Sequence, residues 1–376
     1  MMDYKIIATC AFGLENVTAR ELKDLGYEDL KLENGRVMFE GDEMDIAICN
    51  IHLRTAERVL ICLSEFDAFS FEELYQGTLA VDFPSIVPLD GKMHVTGKSV
   101  KSTLHSVPDC QSIVKKAVVD SMRKTYRNEL FPEDGPVYKI EVGILKDRVT
   151  LSLDTSGPGL HKRGYRESSG TAPLKETLAA ALVLIAGYNG ERPLVDPFCG
   201  SGTILIEAAM IAQNIAPGIN RSFVSETWPT FPADIWEQVR EGAKLAEKRR
   251  KLSVTGYDND SYVLSTARIN AKKAGVFENI YFYKEDFRGL TINDRDVILI
   301  TNPPYGERMG EADEVAALMS KLGRDKARMQ DADYFILSSM DGFEKAFGRK
   351  ASKNRKLYNG RIMTYYYQYF AEKKVT

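Results

Sequence analysis

The segment PLVDPFCGSGTILIEAAMIAQNIA, residues 193–216, restricts the fold more than any other stretch of the chain. A short apolar run ends in Asp196. Two closely spaced glycines, Gly200 and Gly202, follow, and then an apolar helix begins near Thr203. That order reads as a strand buried on both faces, a tight turn and a covering helix. The pattern recurs downstream. The strand SVTGYD (253–258) precedes the helix SYVLSTARINAKKAG (261–275), and the strands NIYFYKED and DVILITN follow. Strands that alternate with helices predict a parallel sheet covered on both faces. The end of the chain changes style, because Asn359-Gly360 lies between two strand-like runs and predicts an antiparallel hairpin.

The front third is organised differently. Strands are expected at 4–11, 35–41 and 94–100, with a strand pair in VYKIEVGILKDRVTLSLDTSG. Amphipathic helices are expected over 14–25 and after Pro108. The mixture lacks βαβ regularity and predicts small α+β units. SGPGLHKRGYRESSGTA (156–172) reads as a linker, and 214–251 as an insertion in the second half.

Charge is uneven along the chain. Residues 1–91 carry 7 Lys/Arg against 18 Asp/Glu, whereas residues 92–127 carry 8 Lys/Arg against 2 Asp/Glu. Such asymmetry can mark a polyanion surface over 92–127, but charge alone favours a solvated helix face. The five cysteines and four histidines show no metal-ligand spacing, so no metal site is expected, and free thiols fit a reducing cytoplasm. The longest apolar run, 178–187, is too short to span a bilayer.

Open α/β sheets bind ligands beyond the carboxyl ends of their strands, and four such ends carry specific chemistry. Asp196, Gly200 and Gly202 form the first, where backbone can approach a ligand at a helix N-terminus. The loop is neither a phosphate-binding GxxxxGK[ST] nor a GxGxxG. Asp258 stands at the second, where a carboxylate can accept from paired ribose hydroxyls. Asp286 and Phe287 stand at the third, suited to an amino group and ring of adenine. Together they imply a ligand with an amino-acid end, a ribose and an adenine, which S-adenosylmethionine satisfies. The fourth end is TNPPYGERMG (301–310). Asn302 offers an amide oxygen, Pro303 brings a carbonyl without a competing N–H, and Pro304 stiffens the corner. Two fixed acceptors suit a planar –NH2, and Tyr305 offers a face for its ring.

On these residues the chain resembles the amino-group class I S-adenosylmethionine-dependent methyltransferases. DPFCGSGT, GYDND, EDF and NPPY resemble motifs I to IV, and RGYRESSGTAPLKETLAAALV resembles the motif X region of the THUMP-containing RNA methyltransferases. LSLDTSGPGLHKRGYR resembles that subset's junction. The resemblance implies an α/β, Rossmann-like class I methyltransferase sheet with a C-terminal antiparallel hairpin, preceded by α+β ferredoxin-like and THUMP units. The expected divisions are 1–60, 61–160 and 165–376. It implies S-adenosylmethionine as cofactor, with Asp196, Phe198, Gly200, Gly202, Asp258, Asp286 and Phe287 around it. Asn302, Pro303 and Tyr305 would hold the target base.

The family's guanine-N2 enzymes make RNA the expected partner, 23S rRNA or a ribosome assembly intermediate first, with no membrane. Lys98, Lys101, Lys115, Lys116, Lys162, Arg163 and Arg166 are the expected phosphate contacts. Adenine-N6 methylation of DNA, guanine-N2 methylation of tRNA, methylation of a protein glutamine and a non-catalytic RNA-binding role remain alternatives. The first three would use the same two acceptors.

Overall fold

The computed structural model describes residues 3–166, 174–290, 295–304, 311–324 and 332–371. Two seven-stranded sheets organise them. The first is built from β1 (Tyr4–Cys10), β2 (Lys31–Glu33), β3 (Arg36–Gly41), β4 (Ala56–Asp67), β5 (Lys92–Val100), β6 (Val137–Leu145) and β7 (Arg148–Asp154). Its order is β2-β3-β1-β4-β7-β6-β5, and only β5 and β6 pair in parallel. Helices α1 (Glu15–Asp24), α2 (Glu43–His52), α3 (Phe71–Leu79) and α4 (Val107–Tyr126) accompany it. Alternation along the strands sorts its two faces. Ile6, Ala8, Val37, Phe39, Val59 and Ile61 enter the main core, while Ile7, Met38 and Leu60 form a separate small cluster.

The expected division between residues 60 and 61 falls inside β4. That strand pairs β1 through Ile6↔Ile61 and β7 through Leu60↔Asp154, so the two front units share one continuous sheet.

The second sheet contains β8 (Leu194–Asp196), β9 (Val254–Asp258), β10 (Ile280–Lys284), β11 (Ile298–Thr301), β12 (Asp333–Ser338), β13 (Lys353–Asn359) and β14 (Ile362–Tyr369). Its order is β10-β9-β8-β11-β12-β14-β13, with the first five parallel and the last two antiparallel. Helices α5 (Glu176–Ala186), α6 (Thr203–Ala212), α7 (Ile235–Leu245), α8 (Ser261–Lys273), α9 (Glu311–Arg324) and α10 (Phe343–Phe347) complete this half. The hairpin is present, but its two-residue loop is Gly360-Arg361, since Asn359 still pairs with Ile362. Gly360 has φ +61° and takes the first loop position, where a left-handed conformation is needed.

One expectation about the joints is corrected, and the insertion gains a role. The 156–166 stretch is no loose linker, because Thr155, Ser156, Leu160, Arg163 and Tyr165 are buried. Asn50 donates to Thr155 Oγ1, and Ser156 Oγ donates to Asn50 Oδ1, which fixes the chain against α2. The 214–251 insertion is a brace. Phe223, Trp228, Phe231 and Trp236 join the core of the front half. Trp228 stacks on Tyr138 at 4.9 Å and donates to the Val137 carbonyl. Truncating a ring so placed typically costs roughly 3–5 kcal/mol.

Candidate active site

Strands β8 and β11 are buried along their whole length, so only their ends can meet a ligand. The sheet order reverses between them. From β8 the chain steps outward to β9 and β10, then returns to β11 and steps the other way. Such a reversal opens a crevice at the carboxyl ends, and a cleft of about 680 Å³ lies there. Phe198 after β8, Asp258 after β9, Asp286 and Phe287 after β10, and Asn302 and Pro304 after β11 all line it.

Other expected residues lie behind this wall. Asp196 is 1 % exposed. Its Oδ1 accepts from the Phe198 N–H at 3.0 Å and from Thr301 Oγ1 at 2.6 Å. Asp196 therefore ties the glycine corner to the end of β11, rather than facing the ligand. Burial pushes its carboxyl up to about 7, against the opposing pull of those two hydrogen bonds. Pro303 is buried between Asn302 and Pro304, which both line the cleft, so its backbone and not its ring is what the corner can offer. The two glycines differ. Gly202 has φ +79°, and a Cβ there would come within 3.2 Å of Ala267 and Phe282, so it serves helix packing. Gly200 has φ +53° with open space where a Cβ would be, and its N–H donates to Asp258 Oδ2 at 3.0 Å. It is the glycine that leaves backbone accessible.

Asp258 is oriented by that bond and by a second from the Asp260 N–H to Oδ1. Its remaining lone pairs can accept from a ligand. Phe198 and Phe287 meet at 5.0 Å and form an aromatic floor. Asp286 is engaged by a partner that the sequence reading missed. Arg288 Nη2 approaches it at 2.6 Å and holds the carboxyl below its ordinary value. Arg288, Lys321 and Arg324 give the cleft a cationic rim, with Lys321 Nζ 5.0 Å from the Phe287 ring centre. Lys321 and Arg324 arrive on α9, whose amphipathic spacing in EADEVAALMSKLGR was the available signal. Tyr305 lies outside the described residues.

The expected phosphate contacts divide. Lys101 and Lys162 are exposed. Lys98 pairs with Glu141 at 2.7 Å. Lys115 donates to the Met93 carbonyl, and Lys116 lies over the Tyr75 ring; both border a shallow groove with His94 and Arg123. Arg163 and Arg166 are corrections. Arg163 is 4 % exposed, donates to the Leu160 carbonyl and sits 3.5 Å from Glu207. Arg166 donates to Thr203 Oγ1 and pairs with Glu176. Both clamp the junction to the helices of the second half; Arg163 is closed off from any phosphate, and the half-buried Arg166 is already engaged by Thr203 and Glu176.

An orienting carboxylate, an aromatic floor and an accessible glycine backbone at a sheet reversal define a class of protein that binds an adenosyl group. Comparison with known proteins agrees. Residues 163–368 match the RMKL-like methyltransferase domain, residues 5–60 the RlmL ferredoxin-like domain and residues 68–154 the THUMP domain. The chain belongs to this K/L-type family of RNA methyltransferases, whose methyl donor is S-adenosylmethionine. It is 46 % identical to YpsC of Bacillus subtilis (strain 168), named as a candidate RNA methyltransferase, over 99 % of this chain and 97 % of that one. It is 34 % identical to the ribosomal RNA large subunit methyltransferase K/L of Vibrio parahaemolyticus, covering 95 % of this chain but 52 % of that longer protein. Among solved structures, a possible methylase from Clostridium difficile 630 superposes with TM-score 0.96 at 45 % identity over the full length of both chains. SMU.472, solved complexed with SAH, superposes with TM-score 0.94 at 40 % identity over 99 % of each chain.

Proposed function

We propose that the chain methylates an exocyclic amino group in RNA, the N2 of a guanine in 23S rRNA. The observation that carries this reading is the placement of Asn302 and Pro304 on the same cleft as Asp258 and Phe287. The acceptor corner and the donor corner are joined through the bond between Thr301 and Asp196. Bound S-adenosylmethionine supplies an already activated methyl group. Asp258 takes its ribose hydroxyls, Phe287 and Asp286 its adenine, and the Gly200 backbone its amino-acid end. Asp286 does so by sharing its carboxylate with Arg288.

The work left to the chain is positioning. The Asn302 side-chain oxygen and the Pro303 carbonyl accept the two N–H bonds of the target amine and aim its lone pair into the cleft. Both are pre-set by a rigid corner, so little reorganisation is needed at the moment of reaction. Tyr305 stacks on the base, which leaves its helix to enter. Arg288, Lys321 and Arg324 meet the phosphates beside it. Lys98, Lys101, Lys115, Lys116 and Lys162 serve more distant RNA.

One solved relative from Listeria monocytogenes, 46 % identical, is named a predicted N6-adenine-specific DNA methylase. The same corner suits that amine. The THUMP match over 68–154 favours RNA, since it stands where a DNA enzyme would carry a target-recognition unit. This reading places the chain in the cytoplasm with assembling ribosomes. Mass spectrometry of nucleosides from 23S rRNA, tRNA and DNA of a strain lacking the protein tests it. Loss of N2-methylguanosine from 23S rRNA is expected. Loss of N6-methyladenine from DNA, with rRNA unchanged, would overturn it.

A further inference from the structure

Residues 349–361, RKASKNRKLYNGR, hold six Lys or Arg and no Asp or Glu, in a chain whose net charge is −3. They run into β13, the edge strand of the second sheet, and into its hairpin loop. Register places that loop. Ser338, the last residue of β12, pairs with Tyr365, and β14 begins at Ile362. The loop therefore stands roughly 10 Å beyond the carboxyl end of β12, at about 3.3 Å per residue. This is the end of the sheet at which the cleft opens.

Lys356 and Tyr358 share a face with their partners Tyr365 and Met363. Tyr365 packs against the core cluster that contains Phe287, so this is the face behind the cleft. Lys356 Nζ lies 5.6 Å from the centre of the Tyr358 ring. Phe12, from the β1–α1 turn of the other half, meets Tyr358 edge-on at 6.1 Å. Phe12 is 52 % exposed and Met363 44 %. The two halves touch closely here, since a Cβ on Gly13 would come within 2.8 Å of the Lys356 carbonyl. Glu57 borders the same recess but is committed to Lys175 and Thr177.

Lysine on an edge strand can serve merely to deter pairing with another sheet. That role needs no exposed aromatic ring and no contribution from the other half of the molecule. Cations beside one exposed ring, Phe12, and one half-buried ring, Tyr358, fit a single-stranded nucleic acid, with phosphates on the cations and base faces on the rings. We propose that the hairpin loop and the Phe12 turn form a platform for the single-stranded RNA that flanks the target nucleotide. Lys356 and Arg361 take phosphates, and Phe12 and Tyr358 take bases. The inference rests on the RNA reading of the cleft.

The test uses the full chain and a mixed-sequence single-stranded RNA of about 20 nucleotides, longer than one site's span of roughly 4–16. Binding is measured at several salt concentrations for wild type, Lys356→Ala/Arg361→Ala and Phe12→Ala. The double variant should bind about 10-fold more weakly or worse, and its log K against log salt slope should flatten by roughly 1.4, two contacts at about 0.7 each. Phe12→Ala should lose about 5-fold or more without a change of slope. SAH affinity and melting temperature should match wild type in both, which shows an intact fold. Wild-type affinity and slope in the double variant would overturn the platform and leave the cations as edge protection, with the RNA reading standing. A wild-type chain that does not bind RNA at any salt concentration would overturn both.

Discussion

The two sheets have seven strands each, yet they present opposite surfaces. In the second, β8 and β11 are buried on both faces, so chemistry gathers at strand ends and around one cleft. In the first, one face packs into the main core. The other bears a groove of about 760 Å³ with Arg36, Glu65, Lys98 and Glu141 on its walls. A covered sheet concentrates function into a few residues that must be particular types at particular places. A half-open sheet spreads it over a face, where many combinations of charge serve. The difference explains why the back half announces itself in short motifs and the front half only in composition.

The largest expected effect tests whether the two sheets are one folding unit. Glu207 is fully buried, accepts from Tyr165 Oη at 3.0 Å and faces Arg163 at 3.5 Å. Glu207→Ala leaves the Arg163 charge buried without its counter-ion. A loss of roughly 3–5 kcal/mol is expected, with the melting transition of both halves lowered together. Two separate transitions, with the front half unmoved, would show that the junction does not couple them.

The next effect separates a tether from a ligand contact. The Asp196 carboxyl sits near 7 against an ordinary 3.8, so the folded state holds its proton where the unfolded state has released it. Stability from this group is full below pH 4, falls as pH rises from about 4 to about 7 and is level above. The cost of the buried charge is on the order of 4 kcal/mol. Asn at this position keeps the Oδ1 that accepts from Phe198 and Thr301. Asp196→Asn should therefore flatten the pH dependence of melting over that window, and an unchanged profile would refute the titration.

Asp258→Ala should weaken S-adenosylmethionine binding by roughly 1–3 kcal/mol in isothermal titration, the scale of a charge-assisted hydrogen bond lost at a partly buried site. Part of that loss is indirect, because the Gly200 N–H loses its acceptor. Equal affinity would place the ribose elsewhere. The smallest effect falls on the open half. Lys115→Ala/Lys116→Ala should weaken RNA binding several-fold and flatten its salt slope by roughly 1.4, at about 0.7 per contact, without altering S-adenosylmethionine binding. RNA binding unchanged across salt concentrations would leave these lysines as structural props of the Met93 carbonyl and the Tyr75 ring.

What the sequence disclosed follows the same division. The positions of Asp258, Phe287 and Asn302 beside one cleft were legible because each stands at the carboxyl end of a strand-like run. The roles of Asp196 and Gly202 were not. Their partners Thr301, Ala267 and Phe282 lie far along the chain and become neighbours only in the sheet. Arg163 and Arg166 looked like surface cations because composition cannot register the buried carboxylates of Glu207 and Glu176. The insertion was legible but its role was not, although Ile235, Trp236, Val239 and Ala243 already had the spacing of one buried helix face. The shared sheet was invisible because β4 is a continuous strand, and pairing partners on its two sides leave no mark on its sequence.

The central claim is that the corner after β11 holds the N2 amine of a guanine in RNA. Single-turnover methylation of 23S rRNA, stripped of protein and taken from a strain lacking this chain, tests it most directly with wild type and Asn302→Ala. The expected product is N2-methylguanosine. The rate in the variant should fall by about 10²-fold or more, with affinity for RNA and S-adenosylmethionine little changed. A wild-type rate in Asn302→Ala, or methyl found on adenine N6, would contradict the account.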